Sequence, residues 1–146
     1  MVIFEKITES PLETQRIAQE FAKDVLKGDI VFLEGELGAG KTEFVRGFVS
    51  YHGIRSIRSP SFTVVFEHWS KFNYPIYHID LYRFEGDFIE LLERGIIDIF
   101  EKKDGIVLVE WADRLKGFYT PDYLVEMEHI SPHQRKITVK KIEDKL

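Results

Sequence analysis

The feature that most constrains this chain is the run Gly35-Glu36-Leu37-Gly38-Ala39-Gly40-Lys41-Thr42. It matches G-x-x-x-x-G-K-[ST], a phosphate-binding loop that works only between a buried strand and a helix. Gly35 and Gly40 permit backbone angles and close approach that a Cβ would block. The loop, Glu36, Leu37, Gly38 and Ala39 included, then offers backbone N–H groups to phosphate oxygens as an anion nest. Lys41 brings a positive charge to the outer phosphates, and the Thr42 hydroxyl can ligate Mg²⁺. The helix that follows aims its positive dipole end at the same anion.

The flanks suit that task. Asp29 to Glu34 is a short apolar, β-rich run and reads as a buried strand. Thr42 to Tyr51 reads as a helix with Phe44, Val45, Phe48 and Val49 on one side and Gly53 past its end. Upstream, Ser10-Pro11-Leu12-Glu13 is a helix start, with Ser10 as cap, Pro11 in the first turn and Glu13 completing a capping box. Leu12, Ile17, Phe21, Val25 and Leu26 continue at helical spacing until Gly28. Val2 to Ile7 reads as a short edge strand.

Downstream, Phe62 to Trp69 and Tyr74 to Tyr82 read as an antiparallel strand pair turning at Asn73-Tyr74-Pro75. Asp87 to Arg94 is a short helix capped by Gly95, and Ile106 to Val109 a buried strand. Tyr123 to Ile130 and Arg135 to Lys140 form a last pair around Ser131-Pro132-His133. This order predicts an α/β fold of the P-loop class, with a parallel central sheet flanked by antiparallel strands and helices on both faces. At 146 residues the expectation is a single domain, 1–146.

Composition narrows the partners. The net charge of −5 argues against a protein that grips nucleic acid backbone over a broad surface. The pairs Arg55/Arg58 and Lys102/Lys103 read as solvated surface. There is no cysteine, hence no thiolate metal site or catalytic thiol. No apolar run approaches the ~20 residues of a membrane span, and the N-terminus lacks a signal-peptide pattern. A cytoplasmic protein with no membrane attachment is the expectation.

A phosphate loop needs acids at neighbouring strand ends to hold Mg²⁺ and orient water. Two fit. Ile106-Val107-Leu108-Val109-Glu110 is an apolar strand ending in a carboxylate, with Glu where Asp is usual. His78-Ile79-Asp80 puts Asp80 near the end of another strand. Their division of roles stays open at this level. Ser59-Pro60-Ser61-Phe62-Thr63 lies where a switch-like loop would pass the γ-phosphate. Trp111 borders the nucleotide or packs in the core. His78 has no partner at zinc spacing and reads as a polar group oriented beside Asp80. Arg83 is a candidate for phosphate or for a structural ion pair with Asp80.

These segments together resemble the TsaE (YjeE) family of small bacterial ATPases. The resemblance rests on Gly35–Thr42, Ser59–Thr63, His78-Ile79-Asp80-Leu81-Tyr82-Arg83 and Val109-Glu110-Trp111, in that order. It covers about two-thirds of the chain, and the H-x-D-L-Y-R and E-W pair is its specific part. It implies slow, Mg²⁺-dependent ATP hydrolysis in service of threonylcarbamoyladenosine formation at adenine 37 of tRNA. The implied partners are a threonylcarbamoyl transferase subunit (TsaD-like) and its inactive paralogue (TsaB-like), with tRNA met through that complex. Lys41 would bind phosphate, Thr42 and Glu110 would hold Mg²⁺, and Asp80 would polarise water or support the metal. Trp111 would stand near the site, and Thr14 would touch the adenine region. Two positions depart from the family pattern: Ser61 stands where Thr is frequent, and Ala112 where Pro often follows E-W. The segment from Thr120 onward carries no motif.

Two other readings use the same loop. A small-molecule kinase needs an Arg-bearing lid, for which no segment is evident. A non-hydrolytic nucleotide switch remains, though the guanine-reading N-K-x-D is absent from the chain.

Overall fold

The computed structural model describes residues 1–36, 38–57, 65–82, 88–93, 95–115, 117 and 119–143. Leu37, Arg58, the Ser59–Thr63 loop with the expected start of the next strand, Arg83, and the helix ends at Asp87 and Arg94 lie outside the described residues.

Seven strands form one sheet: β1 (Val2–Thr8), β2 (Ile30–Gly35), β3 (Val65–Trp69), β4 (Pro75–Asp80), β5 (Ile106–Glu110), β6 (Tyr123–His129) and β7 (Arg135–Lys141). Their spatial order is β1-β7-β6-β2-β5-β4-β3. The centre, β6-β2-β5-β4, is parallel. Antiparallel β3 closes one edge, and β7 with β1 the other. The expected parallel centre with antiparallel flanks is what forms.

β2 explains the layering. Its alternate residues face opposite ways, and both faces are covered, so it reads as an unbroken apolar run. Val31 and Leu33 pack with Leu108, Val125 and Val139 under α1 (Pro11–Ala22) and α2 (Lys41–Tyr51). Ile30 and Phe32 pack with Tyr77, Ile79, Val107 and Val109 on the other face, under α4 (Ile96–Lys102). The short α3 (Phe88–Glu93) precedes α4. No described helix is long and apolar enough to cross a membrane.

Two elements differ from the sequence expectation. α1 ends at Ala22 rather than running to Gly28. Past Ala22 the chain must turn into the sheet centre, and the Asp29 carboxylate tightens that turn by accepting the Leu26 N–H at 2.8 Å. The buried stripe of α1 is Thr14, Ala18, Phe21 and Ala22, while Leu12 and Leu26 are exposed. α4 was not expected at all. Gly95, read as a terminator, is its N-cap with φ of 79°, and Ile96 and Phe100, one turn apart, bury together.

A glycine on α2 allows it to come close to α1. Gly47 faces the α1 backbone so tightly that a Cβ there would stand 2.2 Å from the Gln15 carbonyl oxygen. In an open helix Gly→Ala stabilises by about 1 kcal/mol. Here the sign should reverse: Gly47→Ala is expected to cost ~1–3 kcal/mol by forcing the helices apart. Thermal unfolding checks it; a melting temperature at or above that of the unsubstituted protein would refute the close-packing account.

Candidate functional site

Parallel strands end at one edge, and this edge collects the chemistry. β2 ends at Gly35, β4 at Asp80 and β5 at Glu110, with Asp80 and Glu110 direct neighbours across the β4–β5 pair. β2 then turns into α2 through the glycine loop. Gly40 caps α2 with φ of 101°, a left-handed angle that side chains resist. A cleft of about 610 Å³ opens there, within the range of small-ligand sites. Gly38, Gly40, Lys41, Thr42, Asp80 and Glu110 are among its walls, and so are Trp111 and Thr14.

Lys41 is the centre of the arrangement. Its residue is buried, and its ammonium donates to the Gly35 carbonyl and lies 3.4 Å from the centre of the Trp111 ring. A cation on an aromatic face gains roughly 0.5–2 kcal/mol. Burial lowers the Lys41 pKa, opposed by the negative charge of Glu110, Asp80 and Asp113. Among the described residues it forms no ion pair. The cation is thus held by a carbonyl and a ring, both replaceable by an anion.

Trp111 is shaped for this contact. Its φ of 59° is left-handed, a conformation costing of order 1–3 kcal/mol for a non-glycine residue. Its ring also stacks on Tyr82, with centroids 4.8 Å apart. Asp80 accepts the Tyr82 N–H at 2.9 Å, tying that residue to the strand end. Ala112, where proline is frequent in the resembling family, is buried and opens a 3₁₀ turn to Leu115.

The two acids differ. Burial raises the Asp80 carboxyl above the usual range; the Tyr82 N–H opposes this, and the charge of Glu110 adds to it. Glu110 is nearly enclosed and meets His78 Nε2 at 2.5 Å. His78 therefore engages Glu110, one strand over, rather than serving as a partner beside Asp80.

The loop residues divide. Ala39 is fully buried, and its N–H is spent on the Glu36 carbonyl at 3.0 Å. Glu36 points away from the cleft, pairing with His129 Nδ1 at 3.5 Å. Thr14 lines the cleft, but its hydroxyl is shared with Thr8 at 2.9 Å inside the fold.

One wall was invisible in the sequence. Glu9, Ser10 and Pro11, from the turn into α1, face the loop together with Pro132, His133 and Arg135 from the β6–β7 turn. Thr8 pairs with Arg135 across β1 and β7, and Gln134 donates to Glu9 at 3.0 Å, which ties the two turns together. Arg135 braces its own turn by donating to the Ser131, Pro132 and Gln134 carbonyls. The only local hint was a His and an Arg two residues apart in a polar turn.

Comparison with known proteins agrees with this arrangement. A family model described as "Threonylcarbamoyl adenosine biosynthesis protein TsaE" matches residues 8–139. The tRNA threonylcarbamoyladenosine biosynthesis protein TsaE of Bacillus subtilis is 37% identical over 133 residues, covering 90% of this chain and 81% of that protein. Its Aquifex aeolicus counterpart is 32% identical, covering 92% and 94% respectively. The crystal structure of Bacillus subtilis YdiB aligns with a TM-score of 0.75 at 31% identity, covering 98% of this chain and 88% of that one. The chain belongs to the TsaE family.

The raised Asp80 pKa has a stability consequence. A carboxyl that holds its proton more tightly when folded supports the fold below its unfolded pKa. That support is lost as pH rises through the folded value. Asp80→Asn, which keeps an acceptor for the Tyr82 N–H, should therefore melt higher than wild type at pH 7. The advantage should vanish below about pH 4, where Asp is protonated in both states. Paired melting curves at the two pH values test this; a variant less stable at pH 7 would contradict it.

Proposed function

We propose that this chain is a Mg²⁺-dependent ATPase that serves threonylcarbamoyladenosine formation at adenine 37 of tRNA. It acts on a TsaD-like transferase subunit and its TsaB-like inactive paralogue, and meets tRNA through them. The observation that carries the reading is the convergence of Lys41, Thr42, Asp80 and Glu110 on one cleft at the mouth of the glycine loop, in a chain whose relatives are named for that modification.

The residues fit the ligands. Lys41 rests on a carbonyl and a ring, contacts a phosphate oxygen outcompetes by charge. The Thr42 hydroxyl and the Glu110 and Asp80 carboxylates are hard oxygen donors suited to Mg²⁺. Among the described residues no three His, Asp or Glu side chains form a metal cage of their own. That suits an ion which keeps waters and takes phosphate oxygens as ligands. When bound, Mg²⁺ would neutralise charge on the outer phosphates. Backbone N–H groups of Gly38 and of Gly40 to Thr42, with the Lys41 ammonium, would absorb charge developing in the transition state; that of Ala39 is committed to Glu36. Asp80, its position fixed by the Tyr82 N–H, would orient the attacking water. The α1 and β6–β7 turns would enclose the nucleoside end.

The purified protein should hydrolyse ATP slowly in Mg²⁺ and associate with the two transferase subunits. A pull-down that recovers neither subunit, with or without ATP, would sink the assignment. Lys41→Ala should lose nucleotide affinity and at least about 10²-fold in kcat. Asp80→Ala should lower kcat by ~10²-fold with affinity near wild type. Equal losses in kcat and affinity would remove Asp80 from the water-orienting role.

A further inference from the structure

The geometry points to His78 as the positioning residue for Glu110, fixing one carboxylate oxygen so that the other is presented to Mg²⁺. This rests on the preceding reading of Glu110 as a metal-facing acid. His78 and Asp80 are two apart on β4 and so share a face of the sheet. His78 is paired with Leu108 and Asp80 with Glu110, which puts Glu110 diagonally across from His78 on that same face. The imidazole spans the diagonal, with Nε2 2.5 Å from Glu110 Oε2. Both side chains are almost wholly enclosed, at 2% and 6% exposure.

The partner of Nε2 assigns the hydrogen. A carboxylate oxygen only accepts, so the nitrogen 2.5 Å from Glu110 Oε2 carries a hydrogen and donates it. Nδ1 is buried without a hydrogen-bond partner among the described residues, so the ring is anchored through Glu110 alone. The ring is 2% exposed, on a strand flanked by β3 and β5, with Phe66 as its cross-strand partner. Glu110 is thus held at one oxygen, and its second oxygen has no hydrogen bond among the described residues. Such partners orient ligating carboxylates, and their loss typically costs 10–100-fold in metal affinity.

A buried His–Glu pair could also serve the fold alone, so the test separates the two roles. A non-hydrolysable ATP analogue is titrated calorimetrically into wild type, His78→Leu, His78→Gln and His78→Asn, in EDTA and in saturating Mg²⁺. Wild type should bind more tightly with Mg²⁺. His78→Leu should lose about tenfold or more of that enhancement, with binding in EDTA within about twofold. Gln places an amide N–H near the Nε2 position and should recover most of the enhancement. Asn is too short to reach Glu110 and should not. The Gln–Asn contrast decides the matter even where His78→Leu fails to fold. Undiminished Mg²⁺ enhancement in His78→Asn, or an equal loss in EDTA and Mg²⁺, would overturn the proposal alone. Absence of Mg²⁺ enhancement in wild type would overturn the reading of Glu110 and this inference with it.

Discussion

One buried cation organises this molecule. Lys41 opens α2, directly after a left-handed turn, where the helix dipole is itself positive. Enclosing an ammonium there is unfavourable, and the lowered pKa expresses it. The surroundings answer with a carbonyl at the end of β2, the face of an indole, and the negative charge of Glu110 and Asp80. Each answer constrains another element. The carbonyl fixes the loop's path, and the indole requires a left-handed backbone at Trp111. The carboxylates require β4 and β5 to end level with each other beside β2.

The same edge carries a further set of braces between the residues that build the cleft. His78 lies behind Glu110, and Tyr82 is tied to Asp80 while stacking on Trp111. The close approach of α1 to α2 at Gly47 sets where the first turn of α1 stands relative to the loop. β1 and β7 then bring the α1 turn and the β6–β7 turn together through Gln134 and Glu9. The antiparallel flank that carried no motif thereby builds the far wall of the cleft.

Much of this was legible in the chain. β2, the glycine loop and α2 followed from local signals that reinforce one another, and Phe44, Val45, Phe48 and Val49 are all buried. The two strand-end acids were legible because each closes an apolar strand in a chain that already carries a glycine loop. The illegible parts have physical causes. α4 was hidden because Gly95 stops one segment and caps the next, and β-branched Ile96 and Ile97 weaken the helical signal. Leu12 and Leu26 fit a helical period but face solvent, since the buried stripe is Thr14, Ala18, Phe21 and Ala22, in which two alanines and a threonine carry little apolar signal.

By itself the sequence determined the strand, glycine loop and helix, because that unit depends on residue types at fixed spacing within a short stretch. It also determined the family, through short motifs that lie in order along the chain. Only the tertiary structure decided which side chains share the cleft. Strand pairing placed Asp80 beside Glu110 and His78 behind it, and pairing of the first strand with the last brought Arg135 opposite Lys41's loop. Those neighbours are 30 or more residues apart in the chain, and register across the sheet rather than spacing along it sets their geometry.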